Sequence, residues 1–293
     1  MYPQLKRKSP KPPKQPSRYL IIIKRLLIWG SALFIIAMLA AIGTVFGVIR
    51  HFSHDLPSIE SLKNYRPPLV TTVYADDGRK IAEFAEEKRI VVPLSQLPKT
   101  LLQAFVAAED SRFYIHKGID VIGIFRAFLK NLRAGAMVQG GSTITQQVVK
   151  SFLLTPERSY RRKIREAILA YRIDNFLTKE EVLFLYLNQI YLGHGAYGVE
   201  VAAQTYFGKT ARNLNLAECA MLAGLPQAPS RYSPVDHPFR AKERQIYTLR
   251  RMLEEGYITD AEHQKAANMS LDIGNTRPLR KSKSSFYTEH VRR

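Results

Sequence analysis

The spacing of hydrophobic and polar positions changes character several times along the chain. From Leu26 to Ile49 there is no polar rhythm, and 24 consecutive residues carry no charge. As a helix rising 1.5 Å per residue, this run reaches roughly 36 Å, against a hydrocarbon core of about 30 Å. A core helix of that length would keep a polar face, so the pattern predicts a helix that crosses a membrane with some tilt. The small residues of Leu39-Ala40-Ala41 fit a cleavage site, but the run is too long for the apolar stretch of a signal peptide. An uncleaved anchor over 26–49 is expected. Residues 50–68, ending Arg66-Pro67-Pro68, have the composition of a tether. Two β-type runs follow, Val70–Tyr74 and Ile90–Val92, with Asp76-Asp77-Gly78 as a turn after the first.

Beyond Pro98 the period becomes helical. Leu101, Ala104, Phe105 and Ala108 recur at i, i+3, i+4 and i+7, and Pro98 suits a first helical position. Asp120 can cap a helix through Leu132, and Ile164, Ala167, Ile168 and Tyr171 make another apolar stripe. Thr178 to Glu181, Asn215 to Glu218 and Thr259 to Glu262 have the form of capping boxes, and Gly224 with Pro226 ends a helix. The expected fold is mainly α: a transmembrane helix, then a helical domain over 69–270 with a short strand unit. A basic linker-like end, 271–293, follows.

Charge orients this arrangement. The formal net charge is +19, and eight Lys or Arg residues with no acidic residue precede the apolar run. By the positive-inside rule the tail, 1–25, is cytoplasmic and everything after Arg50 lies outside. The prolines of that tail give it the composition of a disordered segment. Removing those eight charges leaves +11 for residues 26–293. A basic domain beside a membrane points to an acidic or phosphorylated partner. Nucleic acid, the default for a soluble protein of this pI, is disfavoured by the anchor. The single cysteine, Cys219, cannot form an internal disulfide and sits in an apolar stretch as a buried small side chain.

Three constellations carry candidate chemistry. Glu109-Asp110 closes an apolar helix, with Phe113, His116 and Gly118 downstream. This is either a solvated helix end or a carboxylate whose apolar surroundings raise its pKa into the range of a base or acid. Gly140-Gly141-Ser142-Thr143-Ile144-Thr145-Gln146-Gln147 is either a well-capped helix start or a helix N-terminus offering N–H groups to an anion. Arg162, Lys163 and Glu166 share one helical face. They form either a surface ion-pair ladder or, with Lys150 and Arg158, the positive charge that a pyrophosphate needs.

In this order and spacing the blocks resemble the glycosyltransferase domain of class A penicillin-binding proteins, glycosyltransferase family 51. The counterparts of its five motifs are Glu109–Gly118, Gly140–Gln147, Arg162–Glu166, Lys179–Asn188 and the stretch around Arg244–Met252. Tyr191-Leu192-Gly193, Tyr206-Phe207-Gly208-Lys209 and Ala223–Ser230 match in the flanks, and the resemblance covers about residues 57–270. Two positions depart from it. Phe184 stands where the fourth motif usually has an acid, and Arg244-Gln245 where the fifth usually has paired arginines.

The resemblance implies a lysozyme-like helical fold with a small membrane-associated lobe, to which Ile119–Leu132 and Ser151–Thr155 are apolar enough to belong. It implies lipid II and the growing glycan strand as substrates, joined by an inverting transfer that forms β-1,4 bonds and releases undecaprenyl pyrophosphate. Glu109 is then the base on the acceptor 4-hydroxyl, and Glu166 the second carboxylate. Lys150, Arg162 and Lys163 bind pyrophosphate, Thr143 and Gln147 contact sugar or phosphate, Phe113 and His116 shape the pocket, and Asp110 organises it. No dedicated cofactor or metal ligand set is expected; a divalent ion (Mg or Mn) would accompany the pyrophosphate. Moenomycin is the expected inhibitor, and other cell wall synthesis proteins are expected partners. The expected location is the bacterial cytoplasmic membrane, single-pass, with the catalytic domain outside (periplasmic in a Gram-negative cell). A hydrolase of the same fold and a non-enzymatic recruiter are the rival readings. Ser285–Arg293 resembles the lead-in to a transpeptidase domain, so the chain is expected to be the N-terminal part of a bifunctional enzyme.

Overall fold

The computed structural model describes residues 18–54, 56–63, 71–74, 76–77, 80–84, 88–135, 140–155, 157 and 159–274. The expectations placed on the N-terminal tail before Arg18, Arg66-Pro67-Pro68, Val70, Gly78, Arg158 and the basic end from Arg277 fall outside these residues.

Two units divide the chain, 1–54 and 55–293. The first holds one long helix, α1 (Arg18–Phe52). Over Lys24–Phe52 it is long and apolar enough to cross a membrane, and none of its apolar side chains is buried. The absence of a polar stripe on Leu26–Ile49 leaves α1 no face suited to water, which is the physical content of the anchor expectation.

The second unit begins with a single helical turn, α2 (Glu60–Lys63), and two strands, β1 (Thr71–Tyr74) and β2 (Lys80–Phe84). These pair antiparallel, Thr71 opposite Phe84 and Thr72 opposite Glu83, with a register shift at Val73/Tyr74. A two-residue strand, β3 (Lys88–Arg89), is followed by α3 (Lys99–Glu109), α4 (Val121–Ala134), α5 (Ile144–Phe152), α6 (Tyr160–Phe176) and α7 (Lys179–Gln189). Next come β4 (Ala196–Tyr197), which pairs parallel with β3, and α8 (Val199–Phe207), α9 (Leu216–Gly224), α10 (Pro238–Glu254) and α11 (Asp260–Asn268).

The strand expected at Ile90–Val92 does not form. Asn188 replaces the missing ladder: its Oδ1 accepts from the Val92 N–H at 2.9 Å and its Nδ2 donates to the Val92 carbonyl at 3.1 Å. Both backbone groups are satisfied by one side-chain amide, so no partner strand is needed.

Helix starts follow the sequence closely. Thr143, Thr178, Asn215 and Thr259 each close a capping box with the residue three places on, and the Asp120 carboxylate accepts from the Gly123 N–H at 2.9 Å. Pro98 stands one place earlier than expected, as the cap before α3. In α6 the helix is as expected but its buried face is not. Leu169, Ala170 and Ile173 are buried together with Glu166 and Asp174, while Tyr171 is exposed. Two carboxylates replace apolar residues on the inward face because lysines meet them there: Lys163 bonds Glu166, and Lys179 bonds Asp174 at 2.5 Å.

The core is built round α9, buried from Ala217 to Gly224 and packed against α3 and α10. Burial pushes the Cys219 thiol up to about 12, consistent with an inert core side chain. Helix α4 is the exception among the amphipathic helices. Val121, Ile122, Phe125, Phe128 and Leu132 are exposed, and only Ala127 is buried.

Candidate active site

A cleft of about 330 Å³ opens where α3 ends, α5 begins and the first turns of α6 pass beside α10. Glu109, Gln147, Lys150, Arg162, Lys163 and Glu166 all line it. Six residues spread over three sequence blocks are thereby brought to one surface.

Glu109 is the last residue of α3. Part of its surface opens to the cleft, yet protein surrounds the carboxyl group, and this desolvation raises its pKa above the usual 4.5. A hydrogen bond from Gln147 Nε2 to Oε2 at 2.8 Å and the Arg244 charge oppose that rise, and Asp110 adds to it.

Asp110 has a different environment. It leaves helical geometry, with φ −157° and ψ 71°, and its carboxylate turns under the cleft. There it accepts from His116 Nε2 at 2.9 and 3.0 Å and from the Ile144 N–H at 3.0 Å. The anion expected at the N-terminus of α5 is therefore supplied by the protein itself. Asp110 takes the Ile144 N–H, and Thr143 Oγ1 takes the Gln146 N–H at 3.1 Å. These donors are not offered to a ligand.

Phe113 and His116 stand behind the cleft and not in its lining, at 0% and 8% exposure. Phe113 meets His116 edge-on at 6.3 Å, and Lys179 Nζ lies over the Phe113 ring at 4.7 Å. Lys179 also donates to the His116 carbonyl at 2.8 Å, pinning the loop from outside. Thr143 is buried as well, and its hydroxyl donates to the Gly118 carbonyl at 2.6 Å. Gly118 has φ +78°, and a Cβ there would come within 2.3 Å of the Ala170 carbonyl oxygen, so the close approach of this loop to α6 requires glycine.

The cationic wall comes from α6 and α5. Lys163 Nζ donates to Ser142 Oγ at 2.9 Å and to Glu166, which is 3% exposed. Lys163 thus ties the glycine-rich segment to α6 while remaining half exposed to the cleft. Arg162 stands beside it, with its buried Nε unpartnered among the described residues, and Lys150 is exposed on the rim.

Ser142, Gln146, Gln227, Arg244 and Tyr247 also line the cleft and were not singled out as site residues from the sequence. Arg244 is held tightly. Its Nε donates to the Gly224 carbonyl at 3.1 Å, and its guanidinium lies 4.2 Å from the Tyr247 ring and 5.7 Å from the Tyr232 ring. A Cβ on Gly224 would meet Arg244 Cγ at 2.8 Å, so glycine makes room for that stem. On the other side of Glu109 a second recess of about 200 Å³ presents Arg126, Lys130, Arg250 and Arg251.

The family profile described as Transglycosylase matches residues 77–253, which include every residue of this cleft. The chain belongs to the transglycosylase family. Among its relatives, penicillin-binding protein 1A of Neisseria flavescens is 52% identical over 216 residues, 74% of this chain and 27% of the relative. Penicillin-binding protein 1A of Escherichia coli K12 is 45% identical over 255 residues, 87% of this chain and 30% of the relative. A solved structure of penicillin-binding protein 1A from Haemophilus influenzae matches at 28% identity and a TM-score of 0.45. It covers 78% of this chain and 24% of that one. The chain thus spans about 30% of the length of the curated relatives it matches.

Within this transglycosylase domain the two departures from the family pattern have local explanations. Gln245 is fully buried and donates to the Ala217 carbonyl at 2.8 Å, so a change there leaves the cleft charge, carried by Arg244, in place. Phe184 packs partly buried against the core, and its carbonyl accepts from Asn188 Nδ2 at 2.9 Å.

Proposed function

We propose that this chain is a membrane-anchored peptidoglycan glycosyltransferase that polymerises lipid II, with Glu109 as catalytic base. The observation that carries the reading is a desolvated carboxylate sharing one cleft with Lys150, Arg162, Lys163 and Arg244. The acceptor 4-hydroxyl gives its proton to Glu109, its oxygen attacks the anomeric carbon of the growing strand, and the bond to pyrophosphate breaks with inversion. A base works best with a pKa raised toward the operating pH, which burial supplies. The departing pyrophosphate gains negative charge, and Lys163, Arg162 and Lys150 face it. Glu166 orients Lys163 and is the second carboxylate. Gln147 steers Glu109 and contacts sugar, while Asp110, Phe113, His116 and Thr143 hold the loop beneath. The second recess sets Arg126 and Lys130 of α4 on the other side of Glu109, where they can meet a phosphate of the other lipid-linked substrate, while Arg250 and Arg251 are paired with Glu254.

Glu109 accepts from Gln147 and Glu166 from Lys163, and the described residues contain no group of three or more His, Cys, Asp and Glu side chains that could hold an ion. A divalent ion used in the reaction would arrive on the pyrophosphate.

The apolar helix α1 and the exposed apolar face of α4 support a membrane location with the N-terminus inside and the domain outside. In that setting α4 is the membrane-associated lobe, dipping Phe125, Phe128 and Leu132 into the lipid boundary. The protein is further proposed to continue into a transpeptidase domain and to act with other cell wall synthesis proteins. Incubation of the detergent-solubilised chain with lipid II tests the central reading: glycan polymer is the expected product, and unconsumed lipid II would refute it.

A further inference from the structure

Tyr186 and Tyr206 are both fully buried, and their hydroxyl groups differ. Tyr206 donates to the Leu192 carbonyl at 2.8 Å, an ordinary structural bond. Tyr186 Oη has no hydrogen-bond partner among the described residues. A buried hydroxyl without a partner costs stability that phenylalanine at the same site would avoid. A hydroxyl kept at such a site without a protein partner points to a use beyond packing.

Its position indicates where. The Tyr186 ring, on α7, meets Phe105 of α3 edge-on at 6.0 Å. Phe105 and Glu109 are four residues apart on α3, hence on one face. Tyr186 accordingly packs under the side of α3 that carries Glu109. Burial pushes the phenol well above its ordinary pKa, and the negative charges of Glu109 and then Asp110 push it further, so the hydroxyl lies within electrostatic reach of both. Asp110 is already served by His116 and the Ile144 N–H. Glu109 accepts from Gln147 through Oε2, and among the described residues nothing donates to its Oε1.

We propose that Tyr186 is a positioning residue for Glu109, its hydroxyl donating, directly or across one water, to the open oxygen of the Glu109 carboxylate. Such bonds are commonly long in a ligand-free site and tighten when substrate fills it. The donor favours the ionised form and keeps the carboxylate ready to accept a proton despite its burial. The inference rests on Glu109 being the base, but its first test does not.

Tyr186→Phe removes only the oxygen. The Glu109 carboxyl is titrated by pH-difference infrared spectroscopy of the full chain in detergent, its band assigned by disappearance in Glu109→Gln. The other groups facing Glu109 are unchanged in the variant: Asp110 beside it, Lys150 from α5, Arg162, Lys163 and Glu166 from α6, Arg244 and Tyr247 from α10, and across the second recess Asp120, Arg126, Lys130, Arg250, Arg251 and Glu254. Loss of one hydrogen bond to the charged form should raise the Glu109 midpoint by about one pH unit. The Tm should stay equal or rise, and the acidic limb of lipid II polymerisation should move up with the midpoint, about a tenfold loss of rate on that limb. An unchanged Glu109 midpoint overturns the proposal, as does a Tm fall of several degrees, which would make the hydroxyl a structural bond. A shifted midpoint with an unmoved rate profile supports Tyr186 as the donor and refutes Glu109 as the base.

Discussion

Replacing Glu109 by Gln separates catalysis from stability, because the two should move in different directions. The substitution keeps the shape and removes the charge. Losing a general base lowers turnover by about 10²- to 10⁴-fold, a rise in barrier of about 3–5 kcal/mol. Stability has two opposed contributions. The 2.8 Å bond from Gln147 becomes a neutral one, which loses about 1 kcal/mol. Against this, burial disfavours the Glu109 carboxylate and raises its folded pKa above 4.5. A carboxyl group with a raised folded pKa stabilises fully below its unfolded pKa and loses that contribution as pH rises through the folded value. The wild type loses it across that rise, whereas glutamine carries no charge to desolvate. The net change in Tm should stay within about 4 °C, on the scale of 2–4 °C per kcal/mol for a domain of this size. Relative to wild type, the variant should gain stability as pH is raised from 4 to 7. Lipid II polymerisation resolved on gels, with scanning fluorimetry from pH 4 to 8, measures both quantities. Near-normal polymer from a folded variant refutes the base, and a collapse in Tm shows the carboxylate to be structural.

Three further outcomes are expected. Lys163→Ala leaves the buried Glu166 without its cation, so it should cost about 1–2 kcal/mol, against at most about 0.5 for an exposed i, i+3 pair. Turnover should fall more than lipid II affinity and moenomycin binding should weaken, whereas Lys163→Arg keeps part of the activity; unchanged kinetics and inhibitor binding would return this face to a surface ladder. Thr143→Ala removes a cap and a 2.6 Å bond to Gly118 together and should cost about 2 kcal/mol, read as a Tm fall of about 4–8 °C; no change would show that the loop is held without it. Deletion of residues 1–49 should leave a domain that still binds anionic vesicles through the exposed apolar face of α4, and a domain that floats free of them at low salt would remove that helix from the membrane.

The helices were readable in advance because their ends are encoded locally. A capping residue and its partner three places on suffice, and Thr143, Thr178, Asn215 and Thr259 all behaved as that rule demands. The buried face of α6 was not readable. Glu166 and Asp174 face inward only because Lys163 and Lys179 arrive from positions that a hydrophobic stripe cannot register. The same holds for Ile90–Val92, whose β-branched residues promise a strand but whose hydrogen bonds go to an amide 96 residues later. Glu109, Gln147, Arg162, Lys163 and Glu166 could be placed at one site through motif resemblance. Arg244 and Tyr247 fall in the stretch matched to the fifth motif, but their place in the cleft was not assigned, because a cation held by the Gly224 carbonyl and two aromatic rings is a product of packing around α9.

On the proposed function, the adjacency of Glu109 and Asp110 lets the fold, and not the residue type, choose between them as the base. By residue type alone the two carboxylates are equivalent, and only the motif resemblance separates them in sequence. Helix α3 ends between them, and the backbone changes direction at Asp110. Asp110 receives the His116 imidazole and the first N–H of α5, so its charge is spent on joining the loop to that helix. Those contacts hold the N-terminus of α5, the helix that carries Gln147. Glu166, the third carboxylate, holds Lys163 in the same way, and a proton there would free the cation facing the leaving group. Glu109 differs from both: its donor at Oε2, Gln147, is neutral, the donor proposed for its other oxygen, Tyr186, is neutral as well, and burial raises its pKa. Among the described carboxylates of the cleft it is the one not held by a cation or a backbone N–H, which is the reason for proposing it as the base.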